Sequence, residues 1–97
     1  MSLNRGQIKY LKGICHHIKP VVMLGNKGLT ETVMAEIETA LEQHELIKLK
    51  LRGSREQREQ WLASIASESK AELVLKIGQV ACVFRRNKDQ PKLELPR

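Results

Sequence analysis

Apolar residues near the start of the chain recur at helical spacing. Ile8, Leu11, Cys15 and Ile18 fall three or four positions apart, which puts them on one face of a helix. Asn4 can cap that helix, with Gln7 at the capping-box position, and Leu3 with Ile8 can form a hydrophobic staple. Pro20 disfavours helical geometry at Lys19, so the helix is predicted to stop near Ile18. The pattern then changes. Val21 to Leu24 is a short unbroken apolar run between Pro20 and Gly25, consistent with a buried strand. Gly25-Asn26-Lys27-Gly28 has the composition of a turn. Thr30 can cap a second helix, with Val33, Ile37 and Leu41 as its buried stripe and Met34 and Ala40 alongside.

From Leu46 to Arg52 the period is two: Ile47, Leu49 and Leu51 point one way, Lys48, Lys50 and Arg52 the other. Gly53 breaks the strand, and Ser54 with Gln57 offers a second capping box. The third helix turns Trp61, Leu62, Ile65 and Ala66 inward and ends near Lys70. Leu73, Leu75 and Ile77 form the predicted inward set of a third strand. Gly78-Gln79 fits a two-residue hairpin turn. In the returning strand Val80, Cys82 and Phe84 face one side, and Ala81, Val83 and Arg85 the other. Right-handed crossovers place the second and third helices on one sheet face. The fold class is therefore α/β (α+β), a two-layer sandwich of order α-β-α-β-α-β-β with a mixed four-stranded sheet. The favoured strand order is 1-2-4-3, the last strand antiparallel. Residues 1–88 read as a single domain and 89–97 as a polar C-terminal tail, although Leu93 and Leu95 can pack back.

Composition narrows the partner. The chain has 97 residues, is 41% hydrophobic and carries a formal charge of +6, so an anionic partner is indicated. No apolar run approaches the ~18 residues of a membrane span. Met1 to Lys12 has no signal-peptide pattern, which points to the cytoplasm. Cys15 and Cys82 stand far apart without a CxxC or paired histidines, and read as buried free thiols rather than metal ligands. No metal, cofactor or small-molecule substrate is implied, and monomer is the default state.

Spacing shows where the cations gather. Arg5, Lys9, Lys12, His16 and Lys19 alternate at intervals of four and three, forming one stripe beside the apolar face of the first helix. No acidic residue lies in that helix to relieve them. A second cluster is Lys48, Lys50 and Arg52, with Arg55 and Arg58 following and Lys76 and Arg85 expected to point the same way. The loop Gly25-Asn26-Lys27-Gly28 runs from a strand into a helix. Its glycines allow close backbone approach, and the helix start offers unpaired N–H groups to a phosphate. A GxxG alone is a weak signal and more often a plain turn, and the GKS/T ending of a P-loop is absent.

Five segments, in order, resemble one family. They are Lys9-Tyr10-Leu11-Lys12-Gly13; His16-His17-Ile18-Lys19-Pro20-Val21-Val22; Gly25-Asn26-Lys27-Gly28-Leu29-Thr30; His44-Glu45-Leu46-Ile47-Lys48; and Ile77-Gly78 with Val83-Phe84-Arg85. Across residues 4 to 88 the chain resembles the CRM domain in its stand-alone bacterial form, the YhbY-like RNA-binding proteins. The resemblance implies a fold like the C-terminal domain of the third bacterial translation initiation factor, preceded by an extra helix. It also implies RNA as partner, specifically ribosomal RNA of the large-subunit precursor, and a part in ribosome assembly. The loop glycines and Lys27 correspond to the family's RNA-contacting loop, and Lys9 and Lys12 to its basic helix. Phe84 stands where the family usually has Tyr, which removes a hydroxyl and favours backbone recognition over stacking. Tyr10 and Trp61 remain as candidate base platforms, with burial the commoner fate of both.

Catalysis is not expected, because His16, His17 and His44 lack a nucleophile turn and the acidic residues read as helix-surface charges. The competing function is a non-catalytic adaptor docking on an acidic protein. It is distinguished by having little affinity for naked RNA. DNA ranks third, since no helix-turn-helix spacing is evident.

Overall fold

The computed structural model describes residues 3–97. Met1 and Ser2, part of the segment read for a signal peptide, lie outside the described residues. The elements are α1 (Arg5–Cys15), β1 (Pro20–Leu24), α2 (Glu31–His44), β2 (Leu46–Leu51), α3 (Arg55–Ser69), β3 (Glu72–Ile77) and β4 (Val80–Phe84). Both capping boxes form. Asn4 Oδ1 accepts the Gln7 N–H at 2.8 Å while Gln7 Oε1 accepts the Asn4 N–H at 3.1 Å. The Ser54 and Gln57 pair repeats this at 3.1 and 2.8 Å. Helix α1 ends three residues before the expected Ile18. The His17 N–H closes onto the Ile14 carbonyl at 2.9 Å, and Ile18 and Lys19 leave the helix in the turn toward β1.

The sheet order is β1-β2-β4-β3, the order favoured from the sequence, with β1 parallel to β2 and β4 antiparallel to both neighbours. Period-two alternation divides β2 and β4 between two cores. Ile47, Leu49, Leu51, Ala81 and Val83 join Val22, Leu24 and the inner stripes of α2 and α3. Leu46, Cys82 and Phe84 point the other way and meet Leu11 and Cys15 of α1. Helix α1 thus adds a third, partial layer across the free face of the two-layer body.

Strand β3 departs from its predicted parity. Leu73 and Ile77 are exposed, and Val74 is buried. The register with β4 shifts between Leu73 and Leu75, so Val74 bulges toward the α1 side. Past the bulge the parity is reversed, and Lys76 lies on the α3 side, 4.0 Å from Glu59. In α3, Ala66 is exposed and Ser69 is buried instead, its hydroxyl donating to the Ile65 carbonyl at 2.5 Å. The tail does pack back. Glu45, fully buried at φ 62°, accepts N–H groups from Asn87 (2.7 Å), Lys92 (2.6 Å) and Leu93 (2.9 Å). Leu93 and Leu95 then rest against the α1 core.

Candidate nucleic-acid interface

The glycine loop is a closed turn with a built support. The Gly28 N–H donates to the Gly25 carbonyl at 2.8 Å, and Gly28 has φ +68°, a conformation that disfavours any Cβ. Trp61 of α3 lies beneath. A Cβ on Gly28 would stand 3.3 Å from its indole nitrogen, and one on Gly53 would stand 2.7 Å from its ring. Two loops therefore close over one indole, which fixes Asn26 and Lys27 in exposed positions. Thr30 Oγ1 accepts the Val33 N–H at 3.1 Å, and the remaining first-turn N–H groups of α2 open beside the loop. Trp61, expected to turn inward, is half-buried against the main core, and its indole also forms the floor of the loop rather than an open base platform. The glycines at 28 and 53 were the available signal.

On α1, Arg5, Lys9, Lys12 and His16 are all exposed. Lys19 is exposed too, but sits in the turn beyond the helix rather than on its stripe. The tail fixes which way the stripe faces. Leu93 shares a groove of about 410 Å³ with Ile14, Ile18 and Leu46, and Gln7 Nε2 donates to the Pro96 carbonyl at 3.0 Å. The tail therefore runs along the Gln7 and Ile14 flank of α1, beside Glu45 at the start of β2. The cationic stripe lies on the opposite flank, toward the rest of the sheet and the loop end of β1. Tyr10 stands on the Ile14 side at helical spacing, away from the cations.

The strand cations separate. Lys48 is half-buried, and its Nζ donates to the Ile18 carbonyl at 3.1 Å, fastening the turn after α1 to the sheet. Lys50 stays on the α1 side and partly exposed. Arg85, expected beside them, is on the α2 side. Its guanidinium donates to Glu38 at 2.6 Å, to Glu42 at 3.1 Å and to the Ser69 carbonyl at 2.9 Å. The structure therefore gathers Lys9, Lys12, His16, Lys48 and Lys50 on the sheet face away from α2 and α3, sets the loop at the end of β1 against Trp61 of α3, and leaves Arg85 and Lys76 out. Acidic residues follow the complementary rule. Outside the tail, every one lies on α2, on α3 or at the α2 end, except Glu72, whose Oε2 accepts the Leu3 N–H at 3.0 Å. Beneath α1, Cys15 and Cys82 are both fully buried free thiols. The hydrogen bond to Cys15, together with burial, pushes the Cys82 thiol up, which suits a packing role. No helix among the described residues is long and apolar enough to cross a membrane.

The chain is thus a small basic α/β domain with a cation-lined sheet face and a glycine-framed loop at a helix start, and helix starts and basic faces are features that suit anions. The CRS1 / YhbY (CRM) domain model matches residues 3–85. The chain belongs to that family. It is 46% identical over 97 residues to a Haemophilus influenzae protein named "RNA-binding protein", covering 99% of this chain and 97% of that one. A Pseudomonas aeruginosa protein named "probable RNA-binding protein" is 46% identical over 88 residues, 90% of this chain and 85% of its own. The solution structure of a hypothetical protein from Staphylococcus aureus superposes with a TM-score of 0.82 at 28% identity, covering 98% of this chain and all of that one.

Proposed function

We propose that this chain binds RNA by its backbone, as a monomer in the cytoplasm and without catalysis. Its contact residues are Gly25, Asn26, Lys27, Gly28, Arg5, Lys9, Lys12, His16, Lys19, Lys48 and Lys50. Arg85 is left out of the contact set because it is already neutralised by Glu38 and Glu42. The observation that carries the reading is the segregation of charge. Acids collect on the α2 and α3 side, while α1, β1, β2 and the loop hold cations and no acid. A merely soluble domain more often mixes signs on each surface. The names of the relatives support RNA over other polyanions. Ribosomal RNA of the large-subunit precursor, and assistance in ribosome assembly, are what the family resemblance implies as the target and role.

Lys27→Gln tests the phosphate contact. An exposed loop substitution should change stability by less than about 0.5 kcal/mol. It should also weaken RNA binding and make the log–log salt slope shallower by about one unit, one phosphate's share. Unchanged affinity and slope would reduce the loop to a turn. An adaptor would show itself earlier, by failing to bind naked RNA. Crosslinking in cells, followed by sequencing of the attached RNA, tests the ribosomal target.

A further inference from the structure

On the sheet face that α1 crosses, cover falls off row by row. Leu46 and Phe84 pair under α1 and are buried, and Cys82 in the next row is buried against it. The third row is more open, with Lys50 and Val80 half-buried at its centre and Met23 and Ile77 exposed at its ends. Met23 pairs with Lys50, Lys50 with Val80, and Val80 with Ile77, so these four side chains cross all four strands on one face. Met23 is 54% exposed and Ile77 58%. The apolar stripe of α1 is used on the first two rows, and the tail lies at the far end of the sheet, so neither covers the third.

Charge selects what covers it. Lys50 sits inside the row, the Lys9, Lys12 and His16 flank of α1 faces it, and the Gly25–Gly28 loop leaves β1 two residues after Met23. No acidic residue lies on β1, β2 or β4. The occupant must therefore be a polyanion that also offers flat apolar surface. Duplex nucleic acid turns its phosphates outward and keeps its base faces stacked inside, whereas unpaired nucleotides present both. We infer that this row is the floor of a groove for an unpaired RNA segment. Bases lie on Met23, Val80 and Ile77, and phosphates meet Lys50 and the α1 stripe. Four strands at ~4.8 Å spacing make the floor about 14 Å long, so more than one base fits along it. The inference rests on the RNA-binding reading above and adds the strandedness of the RNA and the residues that sense it.

The test uses the full chain, a fluorescent twelve-nucleotide oligouridylate and a twelve-base-pair RNA duplex, read by anisotropy. Wild type should prefer the single strand. Met23→Thr with Ile77→Thr keeps β-compatible residues at two exposed positions. The double variant should bind the single strand about tenfold more weakly, with an unchanged salt slope, because no phosphate contact is lost. Wild-type protein irradiated with a 4-thiouridine oligonucleotide should crosslink through β1 and the β3–β4 hairpin. Equal binding by the double variant, a preference for the duplex, or crosslinks confined to α1 and the loop would each overturn the groove and leave RNA binding intact. Failure of wild type to bind either RNA would instead remove the reading on which the groove rests.

Discussion

The Gly25–Gly28 turn allows geometry and contact to be separated by two alanines. At Gly28 the backbone has φ +68°, where a Cβ crowds the following carbonyl at a cost of roughly 1–2 kcal/mol. The same Cβ would stand 3.3 Å from the Trp61 indole nitrogen, so the ring must yield by a few tenths of an ångström. Gly28→Ala should therefore lower stability by about 1–2 kcal/mol. For a domain of this size that moves the melting temperature down by roughly 5–15 °C. Gly25 has neither constraint: its φ is not left-handed, and no heavy atom lies within 4 Å of an added Cβ. Gly25→Ala should stay within about 0.5 kcal/mol of wild type. If RNA approaches the loop backbone, Gly25→Ala should nevertheless lose affinity, since the new methyl group points into open space. Thermal unfolding followed by circular dichroism and by fluorescence of the single tryptophan, Trp61, measures the first effect. Anisotropy with labelled RNA well below the transition measures the second. A Gly28→Ala melting point within 2 °C of wild type would refute the conformational argument. Equal stability losses at both positions would refute the assignment of distinct roles.

Two further outcomes follow from the buried polar contacts. Glu45→Gln replaces an acceptor-only carboxylate facing three backbone N–H groups with an amide that turns a donor toward them. It should cost about 1–3 kcal/mol and loosen the tail so that trypsin cuts faster at the already exposed Lys88 and Lys92, and an unchanged cutting rate in limited proteolysis would contradict the tether. Arg85→Gln breaks a part-exposed pair of bonds to Glu38 and Glu42. It should cost about 1 kcal/mol in urea titration and leave RNA affinity within twofold, and a large loss of affinity at unchanged stability would return Arg85 to the contact surface.

What could be read from the sequence was set by how local each determinant is. The alternation through Leu46–Leu51 and the two capping boxes are local, and both survive in the fold. Crossover handedness, which needs only element order, puts α2 and α3 on one sheet face, whereas the strand order 1-2-4-3 is a preference that handedness alone does not fix. The parity of β3 was not legible, because Leu73-Val74-Leu75 is a continuous apolar run in which any residue can be the bulged one. The face chosen by α1 was also hidden, since the crossover rule constrains helices between strands and α1 precedes the first. Arg85 failed for a related reason: its partners Glu38 and Glu42 lie in α2, more than forty positions away, and sign alone cannot reveal a partner. Glu45 shows the same limit more sharply, as a carboxylate buried in the middle of an otherwise ordinary strand entry. These misreadings bear on the site in one direction. Arg85 and Lys76 are withdrawn to the acidic side, and the bulge at Val74 sets the parity that turns Ile77 to the cationic side. The corrected surface is thus smaller in charge than the sequence suggested, and it sets Lys50 within an apolar row of Met23, Val80 and Ile77, the row inferred above to seat unpaired RNA.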